Sequence, residues 1–148
     1  MLGKQSSVSP RFLVLVSKDM GELEKNRSVE TAKAVLIAQL GLASAEVVDS
    51  SAWYRQEFSR CGDWDSWIWN TVTGKDYNTR KPHFTAFIVC EKQLGRANAQ
   101  IIDLAVRNQK VVLFCQKDTP LKEVDGAEAE DPENWKAGWK VKLGRNIQ

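Results

Sequence analysis

Phe84 to Gln116 reads FTAFIVCEKQLGRANAQIIDLAVRNQKVVLFCQ. An unbroken apolar run closes at Cys90, a polar turn holding Gly95 follows, and Ala97 to Val106 carries apolar residues at helical spacing. A second apolar run then spans Val111 to Cys115. Strands buried on both faces show continuous rather than alternating hydrophobicity, as parallel strands covered by helices do. The stretch is therefore predicted to be a β-turn-α-β unit. Its turn would open at the carboxyl edge of the sheet, beside a helix start, where open α/β sheets place their ligands. The free amides of a helix start favour anions.

Working outward, Phe12 to Val16 (FLVLV) is a further continuous run and the expected first strand. The polar turn Ser17 to Asn26 comes next. A helix is expected from about Ser28 to Leu40, capped by Asn26 or Ser28 and stopped by Gly41. Its predicted buried face is Val29, Ala32, Val35, Leu36 and Leu40. Ala45 to Val48 suits a short second strand. Residues 50–83 read as an aromatic-rich insertion over the sheet or the site, with one or two helical turns at Trp53 to Phe58 and a short helix at Trp64 to Trp69. After the strand at Phe84 to Val89, the helix ending at Arg107 and the strand at Lys110 to Cys115, Trp139 to Leu143 alternates like an edge strand.

This order predicts an α/β three-layer sandwich with a mostly parallel, flavodoxin/Rossmann-like sheet of four or five strands, in a single domain over 1–148. The expected strand order is 2-1-3-4 with strand 5 at the edge. Its reversal falls between strands 1 and 3, so the turns that count are Ser17-Lys18-Asp19 and Cys90-Glu91-Lys92-Gln93.

Composition is that of an ordinary water-soluble domain, with 43% hydrophobic and 27% charged residues and a net charge of +2. No bulk charge demands nucleic acid or an anionic membrane. Acidic residues concentrate near the end (Glu123, Asp125, Glu128, Glu130, Asp131, Glu133), as in a solvated loop. The three cysteines, Cys61, Cys90 and Cys115, match no zinc spacing and no disulfide framework. No apolar run reaches the roughly 18 residues of a membrane span, and MLGKQSSVSP lacks the apolar centre of a signal peptide. A reducing cytoplasm is the expected compartment, with no membrane partner and neither metal nor cofactor.

At the turn after the third strand, Glu91, Arg96, Asn98 and Gln100 cluster with Gly95. Arg96 could grip a phosphate or carboxylate through two parallel hydrogen bonds. Glu91 could accept ribose hydroxyls or act as base or nucleophile. The plainer alternative is a set of solvent-facing turn residues, with Asn98 bonding its own backbone. At the first-strand turn, Ser17, Lys18 and Asp19 would face this cluster, Asp19 as a second acid/base group. Neither GxGxxG nor GxxxxGK[ST] occurs, so dinucleotide and P-loop chemistry are absent.

The words IVCEKQLGRANAQIIDLAVRNQKVVLF resemble the nucleoside 2-deoxyribosyltransferase-like group and the wider Rossmann-like nucleotide-binding folds. They do so by their strand-end acid, glycine at the helix start, small helical residues and lysine-started strand. The resemblance implies a pocket for a nucleoside or nucleotide, with cleavage or transfer of an N-glycosidic bond. Glu91 matches the strand-end acid and Gly95 the glycine. Where the group carries a nucleophilic glutamate, this chain has Ala99 or Gln100, neither able to form a glycosyl ester; Asp103 lies one turn further on. A second copy of the chain could complete the pocket, making a homo-oligomer an expected partner.

The chain has six tryptophans, four of them between Trp53 and Trp69. Interleaved with Arg55, Arg60, Lys75, Arg80 and Lys81, these rings suit base stacking, a purine lid or a protein interface as well as a core. Trp67 is carried as a candidate ring over a nucleobase. The alternative to small-molecule binding is a protein or nucleic-acid interaction module built on this segment. His83, the only histidine, has no second histidine to share a metal or phosphoester site and is assigned a structural role. Cys61, in RCGDWD, has the most polar surroundings of the three thiols.

Overall fold

The computed structural model describes residues 10–17, 20–90, 96–115 and 122–123. In chain order these form β1 (Arg11–Leu15), α1 (Glu22–Leu40), β2 (Glu46–Asp49), α2 (Ser50–Cys61), α3 (Trp64–Thr73), β3 (Ala86–Val89), α4 (Arg96–Arg107), β4 (Val111–Phe114) and β5 (Lys122–Glu123). The sheet order is β2-β1-β3-β4-β5. β1 lies parallel to both β2 and β3, and β3 lies parallel to β4. Among the described strands the short β5 alone runs antiparallel, against β4. The expected edge strand at Trp139 to Leu143 lies outside the described residues, and Lys122–Glu123 holds the edge beside β4.

Alternation along the strands divides the core into two layers. Leu13, Leu15, Phe87, Val89, Val112 and Phe114 point to one face, where Trp53 of α2, Trp67 and Ile68 of α3, and Ile101, Ile102 and Ala105 of α4 meet them. Phe12, Val14, Ala86 and Ile88 point to the other, against Ala32, Val35 and Leu36 of α1. One helix on one face and three on the other is what right-handed crossovers require when the chain steps first from β1 to β2 and then back past β1 to β3.

Helix boundaries explain themselves locally. α1 starts earlier than expected, at Glu22, because Gly21 is its N-cap and the Gly21 amide donates to Glu24 Oε1 at 3.0 Å. Asn26 and Ser28 lie within the helix and cap nothing. Gly41 ends α1 in the left-handed region, with φ of 67°. Its amide donates to Ile37 O at 3.0 Å, and Leu42 N to Leu36 O at 3.2 Å, closing the helix as glycine commonly does. Leu40, expected on the buried face, is 51% exposed, because the core stripe ends at Leu36. The segment from Ser50 to Thr73 is two capped helices. Asp49 Oδ1 accepts from Ala52 N, and Asp63 Oδ1 from Ser66 N, both at 2.8 Å.

Replacing Phe87, fully buried between α4 and the α2–α3 pair, by alanine should cost about 3–5 kcal/mol in urea unfolding, the range for deleting a core ring. Gly41→Ala should cost about 1 kcal/mol, because alanine must adopt a left-handed backbone there.

Candidate functional site

β2 passes into α2 without a loop, which sets Ser50 at the carboxyl edge of the sheet. Val16, just past β1, donates its amide to Ser50 Oγ at 2.9 Å. The Val16 carbonyl accepts from Asn98 Nδ2 at 2.9 Å. Ser50 and Asn98 are 5% exposed and stand in the first turns of α2 and α4. The end of β1 is thus held by the starts of two helices, at the point where the strand order reverses. Unpaired amides and aligned peptide dipoles give helix starts a partial positive charge. Next to this point Cys90 and Cys115 follow the paired residues Val89 and Phe114, and the Cys115 amide donates to Val89 O at 2.8 Å. A hydrogen bond from Cys90 draws the Cys115 thiol below its ordinary value, against the opposing effect of burial.

The sequence-predicted residues divide as follows. Ser17 stands at this edge, directly after Val16, with its carbonyl accepting from Met20 N at 3.1 Å. Lys18, Asp19, Glu91 and Gly95 lie outside the described residues. Arg96 opens α4, and its side chain is likewise outside the description. Asn98 is spent on Val16 rather than on its own backbone. Gln100 Oε1 accepts from Trp64 Nε1 at 2.8 Å, fastening α3 to α4. Trp67 is 2% exposed, packed among Tyr54 and Trp64 with ring centroids 5.2 Å away in each case. Ala99 is buried, and Asp103 pairs with Arg107 at 3.0 Å.

The aromatic segment is largely core. Trp53 is 2% exposed, and its Nε1 donates to Thr71 Oγ1 at 2.9 Å. Thr71 in turn donates to Trp67 O at 2.7 Å. Among the described residues Tyr54, Trp69 and Tyr77 are the exposed rings. Trp135 and Trp139 lie outside the described residues.

A cleft of about 1200 Å³ opens at the opposite, amino edge of the sheet. Sequence reasoning did not find it. Trp53, Phe84 and the 8%-exposed His83 are its apolar and aromatic lining. The Arg11 guanidinium lies 5.7 Å from the Trp53 ring centre and 5.1 Å from that of Phe84. Arg11 Nε sits 3.1 Å from Glu46 Oε1 but off the line of its N–H, so the pair is ionic rather than hydrogen-bonded. The loop from Lys75 to Pro82 closes one side through a bridge between those two residues. Asp76 Oδ2 accepts from Asn78 N at 3.0 Å and Thr79 N at 2.9 Å. These backbone donors, Thr79 first, hold the Asp76 carboxyl below its usual range. His83 Nε2 lies 3.3 Å from Asn70 Oδ1, which assigns the ring proton to Nε2 and leaves Nδ1 a bare acceptor. Cys61 also lines the cleft, and burial pushes its thiol up, with Glu57 adding to the effect. Cys61 is therefore not an activated nucleophile. The sequence signal for the cleft was the run Arg80-Lys81-Pro82-His83, cations set directly before a central strand.

Among the described residues no group of three His, Cys, Asp or Glu could hold a metal ion, and no helix is long and apolar enough to cross a membrane. Comparison with family models, curated proteins and solved structures returns no match for this chain.

Two measurements check these contacts. Asn98→Ala leaves the buried Val16 carbonyl without that donor and should cost about 1–3 kcal/mol in chemical unfolding. Burial, assisted by Arg11 and opposed by Glu57 and Asp76, lowers the His83 pKa from its ordinary 6.5. The unfolded chain then binds the proton more readily, so stability is full above about pH 7 and declines as pH falls through 6.5 toward the folded value. Thermal melts should show this decline, and His83→Gln should flatten it.

Proposed function

We propose that this chain binds a nucleoside or nucleotide at the carboxyl edge of its sheet, between the ends of β1 and β3. One observation carries the reading. The first turns of α2 and α4 converge on the end of β1 where the strand order reverses. Open α/β sheets take ligands at that reversal, and two helix starts favour an anionic group such as a phosphate. Ser50 and Asn98 hold the edge in one conformation. The ligand then meets a preformed surface, which lowers the entropic cost of binding.

Arg96 and Lys18 are the proposed anion-holding side chains, Ser17 and Gly95 lie beside them in sequence, and Glu91 is the proposed partner of the sugar hydroxyls. Kinship with nucleoside 2-deoxyribosyltransferases is part of the proposal. Cleavage of an N-glycosidic bond needs a carboxylate near the anomeric carbon. With Ala99 buried and Gln100 bound to Trp64, that role falls to Glu91 or Asp19. Either would take a proton from attacking water while the base departs, or attack the carbon itself. Binding without turnover uses the same pocket and dispenses with the step.

In calorimetry with nucleoside 5′-monophosphates, Glu91→Gln and Arg96→Ala should each weaken binding roughly tenfold, the loss of one charge-assisted hydrogen bond. Unchanged affinity in both variants removes the site. Incubation with a panel of nucleosides and nucleotides, followed by chromatography, separates the two roles. Released base makes the protein an N-glycosidase or transferase, and none across the panel leaves a binding protein.

A further inference from the structure

The amino-edge cleft is a second site whose chemistry differs from that of the carboxyl edge. Glu57, on the last turns of α2, is 6% exposed. Its Oε2 faces both Gln56 Nε2 at 3.1 Å and Arg60 at 3.6 Å. Its Oε1 takes no hydrogen bond among the described residues. His83 Nδ1 is a second acceptor without a donor. A buried acceptor left unpaired, as His83 Nδ1 is, is costly, and a ligand that brings hydroxyl or amine donors removes that cost; Glu57 Oε1 adds a second acceptor in the same cleft.

The rim decides which donors fit. Lys75, Lys81 and Lys110 line the cleft with no carboxylate partner within 4.0 Å among the described residues. The charges of the lining acids are offset: Glu46 by Arg11 and Glu57, through Oε2, by Arg60, while Asp76 is folded onto its own turn. An amine would meet this cationic rim and be repelled. A polyol carrying an anion meets acceptors at the lining and cations at the rim.

We propose that the cleft binds a phosphorylated sugar, with hydroxyls donating to Glu57 and His83 and the phosphate held by Lys75 and Lys81. The volume exceeds that of most small-ligand pockets, roughly 300–1000 Å³, so nothing about size bars such a molecule. The assignment is independent of the nucleotide reading of the opposite edge.

The test is calorimetry of the whole chain with ribose 5-phosphate, ribose and inorganic phosphate as probes. Ribose 5-phosphate should bind at least tenfold more tightly than either fragment, and less tightly as salt rises. The exposed pair Lys75→Ala/Lys81→Ala should weaken it roughly tenfold without altering the melting temperature. Glu57→Gln should bring its affinity down to that of inorganic phosphate. Glu91→Gln, at the other edge, should leave it unchanged, which keeps failure of one site distinguishable from failure of the other. Ribose 5-phosphate bound no better than inorganic phosphate, or binding indifferent to loss of both lysines, overturns the proposal.

Discussion

The backbone amides and carbonyls of β1 and β3 can be satisfied only by neighbouring strands, because both faces of this central pair are sealed. Leu13, Val14, Phe87 and Ile88 have no exposed surface, and an unpaired peptide group at that depth would cost as much as a lost hydrogen bond. The parallel ladder Phe12↔Ala86 through Leu15↔Val89 answers that demand. It also dictates the rest. Two hydrophobic faces need helices on both sides, and the crossovers must depart from β1 in one direction and from β2 in the other. The ends of β1 and β3 are therefore brought side by side at one edge, and the starts of β1, β2, β3 and β4 at the other.

The two edges have opposite characters. At the carboxyl end, neutral side chains from α2 and α4 hold the Val16 peptide, and helix starts supply diffuse positive potential. At the amino end, buried Glu57 and His83 sit in a cleft with lysines at its rim, while Arg11 stacks on Trp53 and Phe84. The carboxyl edge is built on backbone geometry and suits recognition by shape and dipole. At the amino edge the proposed phosphate contacts are lysine charges, so binding there should weaken as salt rises.

Much of the architecture was legible because continuous runs such as FLVLV and AFIV arise where both faces of a strand are buried. The reversal between β1 and β3 followed from element order alone. The start of α1 was misread because Asn26 and Ser28 look like caps, whereas the working device is Glu24 reaching back to the Gly21 amide. α2 exceeds the one or two turns expected at Trp53 to Phe58, because its first and last turns, Ser50-Ser51-Ala52 and Ser59-Arg60-Cys61, carry no large apolar residue to mark them. Asn98 and Gln100 resembled ligand-facing residues at a helix start. Their partners, Val16 and Trp64, are 82 and 36 residues away, and no local pattern records such bonds. The amino-edge cleft left only the cations before β3 as a local trace, since its walls come from the starts of four strands, from α2 and from the Lys75–Pro82 loop.

Amide chemical-shift mapping of the isotope-labelled chain during titration with adenosine monophosphate tests the central claim most directly. The predicted result is movement of the Val16, Ser17, Ser50 and Asn98 signals, with Arg11, Thr85 and Lys110 still. Movement confined to the second group, or no movement at saturating ligand, would contradict a nucleotide site between β1 and β3.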